Sequence, residues 1–162
     1  MAFEQTLAEY QAFPQQFRSL MLSTVSADGS PHASYAPFVV DAERNFYIYV
    51  SGLSAHTANL KRSQQVSVLL IEDEAQTQQV FARRRLNYLC AATVLAREGT
   101  AWGAIADRFE ARFGEIIAML KTLADFEIFQ LQPRSGRFIV GFGAAYRVDP
   151  QDLSRLLPIK KG

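Results

Sequence analysis

Arg83-Arg84-Arg85 is the chain's densest run of positive charge. Adjacent cations repel, and a guanidinium fork matches the two oxygens of a carboxylate or phosphate, so this run calls for an anion. Two sources would serve. The upstream acids Glu72-Asp73-Glu74 can neutralise a solvated strand end, or a ligand can bring a phosphate or a carboxylate. If the run is extended, Arg83 and Arg85 share one face and Arg84 takes the other.

The second group with chemistry is Ser54-Ala55-His56-Thr57. Ser54 is a good N-cap for a helix over 55–62, which closes on the cations Lys61 and Arg62. The free backbone N–H groups of its first turn, the Ser54 hydroxyl, His56 and Thr57 together suit an anionic ligand group. His56, if it faces the arginines, joins both features in one pocket; otherwise it is a structural histidine. His32, beside a turn, reads as a surface or packing residue, and Asp125 as a turn acid. Tyr35, Tyr49 and Tyr88 read as core or interface residues.

The elements that must position these groups follow from periodicity. Residues 3–13 carry Phe3, Leu7, Tyr10 and Phe13 at helical spacing, and Pro14 closes the segment, so residues 1–14 form an N-terminal helix. Strands over 17–26, 32–40 and 46–50, parted by the turns Ala27-Asp28-Gly29-Ser30 and DAERN, make a meander. The apolar run 66–71 is a fourth strand, and 84–96 an extended strand with room for a bulge. Trp102, Ile105, Phe109, Phe113, Ile116, Leu120 and Leu123 recur by threes and fours, which predicts one long helix over 100–123. Residues 126–132, a turn at 133–136, then 137–140 and 144–148 complete the strands, and 149–162 reads as a helical turn with a loose end. The expectation is one α+β domain over 1–162: a small antiparallel barrel of six to seven strands with one long helix inserted before the final hairpin.

Composition excludes several classes. The 162 residues are 49% hydrophobic and 20% charged, enough for one real core. Seventeen basic against sixteen acidic side chains argue against nucleic acid as a partner. No apolar run reaches the roughly 18 residues of a membrane span, so no membrane partner is expected. The lone Cys90 and an N-terminus without a signal-like pattern indicate the cytoplasm. With two histidines and one cysteine there is no Cys-x-x-Cys or His-Glu-x-x-His spacing for a protein-held catalytic metal. Nucleophile-elbow, P-loop and dinucleotide fingerprints are also missing. Uncovered edges and an aromatic core make a homodimer the expected assembly.

Four stretches, FRSLMLSTVSADGSPHASYAPFVVD, FYIYVSGLSAHTANLKRSQQVSVLLIEDE, QVFARRRLNYLCAA and DFEIFQLQPRSGRFIVGFGAAYRV, resemble in order the HugZ/HutZ family of haem-utilisation proteins. That family lies within the FMN-binding split β-barrels typified by pyridoxamine 5′-phosphate oxidase. The likeness runs over about 17–148, and LSAHTANL, SVLLIEDE, FARRRL and GRFIVGFGAAY are its most specific pieces.

The resemblance implies a homodimer of split barrels with two equivalent sites between the subunits. Flavin-binding relatives take their ring and phosphate contacts from the strand at 34–39, from the strand end Tyr49-Val50 and from the helix start at Ser54, His56 and Thr57, with basic residues near Arg83, Arg84 and Arg85 assisting. Haem-handling relatives receive haem in the same region, which makes His56 a candidate ligand of the haem iron. Asp125 resembles the acid that polarises the axial histidine across the dimer. His56 and Asp125 are thus the candidate catalytic pair, and haem or FMN the candidate cofactor. Haem-degrading members open the porphyrin with electrons from an external donor, unidentified here. Their axial histidine sits in a C-terminal extension, whereas DPQDLSRLLPIKKG has none. The implied function is haem binding in haem utilisation, with haem oxygenase-like degradation; an FMN-dependent oxidoreductase and a non-catalytic haem carrier are the alternatives.

Overall fold

Alternation of apolar and polar side chains builds this protein as a sheet, and closure of the sheet buries its apolar face. A computed structural model describes residues 2–159. Strands β1 (Ser19–Val25), β2 (Pro31–Val40) and β3 (Phe46–Ser51) form the expected meander. Helix α2 (Ala55–Ser63) leads to β4 (Gln65–Ile71) and β5 (Arg85–Val94), and β6 (Phe126–Gly141), β7 (Ala144–Asp149) and β8 (Asp152–Pro158) follow. All pairings are antiparallel in the order β3-β2-β1-β4-β5-β6-β7-β8, and β3 also pairs with β6, from Phe46↔Leu131 to Ser51↔Phe126. Six strands therefore close into a barrel and β7–β8 extend from it. The expected α+β antiparallel barrel is the observed fold.

The barrel interior is filled by Leu20, Leu22, Phe38, Ile48, Val68 and Leu86 among others, each at most 2% exposed. Helix α1 (Phe3–Ala12) and a 3₁₀ turn (Phe13–Gln16) bring Tyr10 and Phe13 into this core. There the Tyr10 hydroxyl donates to the Leu153 carbonyl at 2.6 Å and meets the buried Tyr88 hydroxyl. Strand β3 is buried on both sides because its alternate residues serve two cores. Phe46, Ile48 and Val50 face the barrel, while Tyr47 and Tyr49 face helix α3 (Thr100–Phe113) with Ile105, Phe109 and Ile128.

The structure corrects four expectations. The tail is not a loose helical turn: 152–158 is strand β8, and Leu156, paired with Val148, packs into the main core. Residues 160–162 lie outside the description. The single helix over 100–123 is broken at Gly114, whose φ of +83° suits glycine, and resumes as α4 (Ile116–Leu120). Residues 133–136 are not a turn between strands but part of the continuous β6. Pro133 pairs opposite Cys90 where the register shifts, which leaves Arg134 as the extra residue, and a bulge is where a sheet tolerates proline. Finally, β5 begins at Arg85, so Arg83 and Arg84 precede the strand and the face alternation expected of the three arginines does not apply.

Candidate functional site

The turn Ser51-Gly52-Leu53-Ser54 carries the chain from β3 to α2. Thr57 Oγ1 donates to the Ser51 carbonyl at 2.6 Å, and the Leu53 amide donates to Ser51 Oγ at 3.1 Å. Ser54 occupies the N-cap position, yet its side chain makes no capping bond; the Ser51–Thr57 bond holds the turn instead. Thr57 is 1% exposed and its hydroxyl donor is spent on Ser51, so its side chain is built into the scaffold.

Asp125 belongs to the same corner. The Gly52 amide donates to the Asp125 carbonyl at 2.6 Å, and Ser51 Oγ donates to Asp125 Oδ2 at 3.3 Å. A Cβ on residue 52 would stand 2.7 Å from that carbonyl oxygen, so the close approach requires glycine. Closure of β3 on β6 thus places an exposed carboxylate beside the start of α2.

His56 leans from α2 onto β2. Its Nδ1 shares a 2.9 Å hydrogen bond with Ser34 Oγ, while its Nε2 is buried and has no protein partner among the described residues. Burial, and secondarily the charge of His32, push its pKa below the ordinary imidazole value, so at neutral pH the ring is neutral. β2 carries His32 two residues from Ser34, on the same face of the strand. Ser34 itself was invisible as an anchor, since 22 residues separate it from His56.

Tyr49 and Val50 are both buried. Val50 fills the barrel core, and Tyr49 packs edge-on against Trp102 and Phe126 under α3. The Tyr49 hydroxyl is buried without a partner among the described residues, and burial raises its pKa.

Two of the three arginines in the run find anions inside the chain. Arg84 forms ion pairs with Glu72, at 2.6 Å from Nε to Oε2, and with Glu9 of α1. Arg83 donates from Nε to the Glu72 carbonyl at 2.5 Å and stands 3.5 Å from Glu74. Arg85 donates to the Arg83 carbonyl at 2.8 Å. Neutralisation by nearby acids is the arrangement of Arg83 and Arg84, with Glu9 as a member that sequence distance concealed, whereas Arg85 forms no ion pair among the described residues. Arg83 and Arg84 also line an open cleft of about 740 Å³, whose other walls include Phe17, Arg18, Met21 and Ile71.

One face outside the barrel is unusually apolar. Tyr35 (61% exposed) pairs with Met21 (52% exposed) and Met21 with Leu69, while Val25 of β1 and Leu89 of β5 are also exposed. A band of this kind across four strands is the surface expected of an interface.

The sequence profile of the pyridoxamine 5′-phosphate oxidase family matches residues 6–140. Heme oxygenase HutZ of Vibrio cholerae is 40% identical over 154 residues, which cover 95% of this chain and 87% of that protein. A crystal structure of HutZ, described as the heme storage protein from Vibrio cholerae, superposes with a TM-score of 0.73 at 39% identity, over 82% of this chain and 91% of that one. ChuZ of Campylobacter jejuni superposes with a TM-score of 0.86 at 33% identity over 98% of this chain, which spans only 64% of the ChuZ chain. Among the described residues, no helix is long and apolar enough to cross a membrane and no cluster of three metal-ligating side chains occurs. Closed barrel, α2 corner and full-length similarity agree: the chain belongs to the pyridoxamine 5′-phosphate oxidase family of split barrels and, within it, to the HutZ group.

Proposed function

We propose that this protein binds haem in the cytoplasm as part of haem utilisation, at a site on the α2 corner completed by a second copy of the chain. The observation that carries the reading is His56: a neutral imidazole anchored through Nδ1 to Ser34, with Nε2 left unpaired. Neutral imidazole is the form that ligates iron, and a hydrogen bond at the second nitrogen fixes the tautomer and the ring orientation. Haem, when bound, supplies redox-active iron. In this reading Asp125, exposed beside the same turn, orients an imidazole of the second copy. The exposed band of Tyr35, Met21, Val25 and Leu89 supports the homodimer. Arg83 and Arg84 serve the propionates only by exchanging contacts with Glu72, Glu74 and Glu9, whereas Arg85 has no acidic partner to give up among the described residues.

The test is a haemin titration of the purified protein followed by absorption. A saturable Soret shift at about one equivalent per chain, altered in His56→Ala and not displaced by FMN, is the expected outcome. Absence of a saturable shift overturns the proposal. An unaltered spectrum in His56→Ala removes His56 as the ligand. HutZ of Vibrio cholerae is known both as a heme oxygenase and as a heme storage protein, two roles that differ over turnover. Loss of the Soret band on adding ascorbate as electron donor supports degradation; persistence of the band supports the carrier. The second reading, an FMN-dependent oxidoreductase, is favoured by the family match over 6–140 and by the free amides at the start of α2. Retention of a flavin spectrum without haemin binding would establish it instead.

A further inference from the structure

Asp125 is held from two sides, by the α2 corner and by one arginine from the far end of β5. Helix α4 ends at Leu120 and β6 begins at Phe126, so residues 121–125 link them and carry the carboxylate. The amides of Thr122 and Leu123 still bond back into α4, at 3.0 Å each. The carbonyls of the link lie past the last helical turn and need donors from elsewhere. Arg97 supplies those donors. Its Nη1 donates to the Leu123 carbonyl at 3.1 Å and to the Phe126 carbonyl at 3.2 Å, and its Nη2 donates to the Lys121 carbonyl.

Arg97 is itself fixed in place. Two residues earlier, the Leu95 amide donates to the Ile128 carbonyl at 2.8 Å, which ties the chain leaving β5 to β6. The guanidinium carbon of Arg97 stands 4.8 Å from the Trp102 ring centroid on α3, and Trp102 packs edge-on against the buried Tyr49 at 6.0 Å. Phe126, whose carbonyl Arg97 holds, packs edge-on against the same tyrosine at 5.9 Å. Capping of α4 explains the bond to Lys121. It does not explain the bonds to Leu123 and Phe126, which lie beyond the helix and bracket Asp125. A planar guanidinium carries its donors on three nitrogens and can span such carbonyls, whereas an ammonium has all its donors on one atom.

From the other side, the Gly52 amide donates to the Asp125 carbonyl at 2.6 Å and Ser51 Oγ to Asp125 Oδ2 at 3.3 Å. The second bond is long for a hydroxyl donor, so the aim of the carboxylate depends on the backbone that carries it. Arg97 fixes that backbone immediately before and after Asp125. We infer that Arg97 is the positioning residue of Asp125, clamping the link from α4 to β6 so that the exposed carboxylate keeps one place beside α2. The inference rests on the reading of Asp125 as the acid that orients an imidazole of the second copy. The clamp itself belongs to the unliganded chain, and Arg97 acts through Asp125 rather than on a ligand.

The Gly52 amide reports on the clamp, because the Asp125 carbonyl is its acceptor. Amide hydrogen exchange of the unliganded full chain, followed by NMR, is compared in wild type, Arg97→Gln and Arg97→Lys. In both variants the Gly52 amide is expected to exchange about tenfold faster or more, since lysine keeps the charge but loses the fork. The amides of Val68 and Leu86, in the barrel core, keep their wild-type rates. The haem readout is a double-mutant cycle: Arg97→Gln lowers haemin affinity as Asp125→Asn does, and adds nothing when combined with it. Unchanged Gly52 exchange in Arg97→Gln overturns the proposal. Equal acceleration at Val68 and Leu86 overturns it too, by making Arg97 a general stabiliser, and wild-type exchange in Arg97→Lys does so by assigning the effect to charge alone. Additive losses of haemin affinity show Arg97 acting other than through Asp125, against the proposal. If Asp125→Asn leaves haemin binding unaltered, the reading of Asp125 fails, and the Gly52 amide still decides the clamp.

Discussion

Gly52→Ala tests whether one backbone contact assembles the α2 corner. The added Cβ would lie 2.7 Å from the Asp125 carbonyl oxygen, roughly 0.7 Å short of ordinary contact. The same oxygen accepts the Gly52 amide at 2.6 Å, and neither group sits on a side chain that can swing away. Ser51, the preceding residue, pairs with Phe126, so the strain has to be taken up at the end of the β3–β6 seam that closes the barrel. Overpacking of this type costs about 1–3 kcal/mol. Weakening the hydrogen bond adds about 0.5–1.5 kcal/mol. The expected loss is therefore about 1.5–4.5 kcal/mol, a large part of the roughly 5–15 kcal/mol that holds a domain folded. Gly103→Ala is the control: it lies inside α3 with nothing within 4 Å of an added Cβ, and it should gain about 0.5–1 kcal/mol. Urea unfolding followed by far-ultraviolet circular dichroism reads both variants. The reasoning is refuted if Gly52→Ala loses less than about 0.5 kcal/mol, the range of an ordinary surface substitution. A second readout is haemin affinity, which should fall in Gly52→Ala, where Asp125 is displaced from α2, and hold in Gly103→Ala.

Three further outcomes are expected. Tyr88→Phe removes a fully buried hydroxyl that meets the Tyr10 hydroxyl and accepts from Arg44 Nε at 3.1 Å, and should cost about 1–3 kcal/mol in urea unfolding because those partners stay buried; a neutral result would show that the network contributes nothing. Cys90 is 1% exposed and burial pushes its thiol up to about 12, so a thiol reagent at pH 8 should label it only as the protein unfolds, and rapid native labelling would contradict that burial. The pKa of His56 is lowered by folding, so its contribution is intact above the unfolded value near 6.5 and is lost as pH falls below it; the urea midpoint should drop between pH 7.5 and 5.5, and less steeply in His56→Gln, whereas parallel profiles would remove His56 as the cause.

Local pattern alone located most of the elements. The alternation of β1, the two-sided apolar run of β3, the Gly29 turn and the helix after Ser54 are legible because side-chain period and turn chemistry act within a few residues. The family motifs around LSAHTANL and FARRRL pointed to the right barrel for the same reason, since they are contiguous stretches. Helix α3 was legible from its stripe but its break was not: Ile116, Leu120 and Leu123 keep the helical period through Gly114, and only the backbone conformation at +83° separates α3 from α4. The tail failed because DLSRLLP has weak strand character of its own and is made a strand by pairing with β7 and by burial of Leu156.

The candidate site divides in the same way. Sequence by itself marked His56 beside a helix start and three adjacent arginines in need of an anion, because residue type and short spacing determine those properties. Only the tertiary structure decided what the groups meet. Closure of β3 on β6 brought Asp125 to Gly52, 73 positions away, and α1 brought Glu9 to Arg84, 75 positions away. Those contacts paired Arg84 with Glu9 and Glu72 and Arg83 with Glu74, and left Arg85 without an ion pair among the described residues. Charge is a property of a residue, but whether it is balanced depends on neighbours that packing of the whole barrel selects.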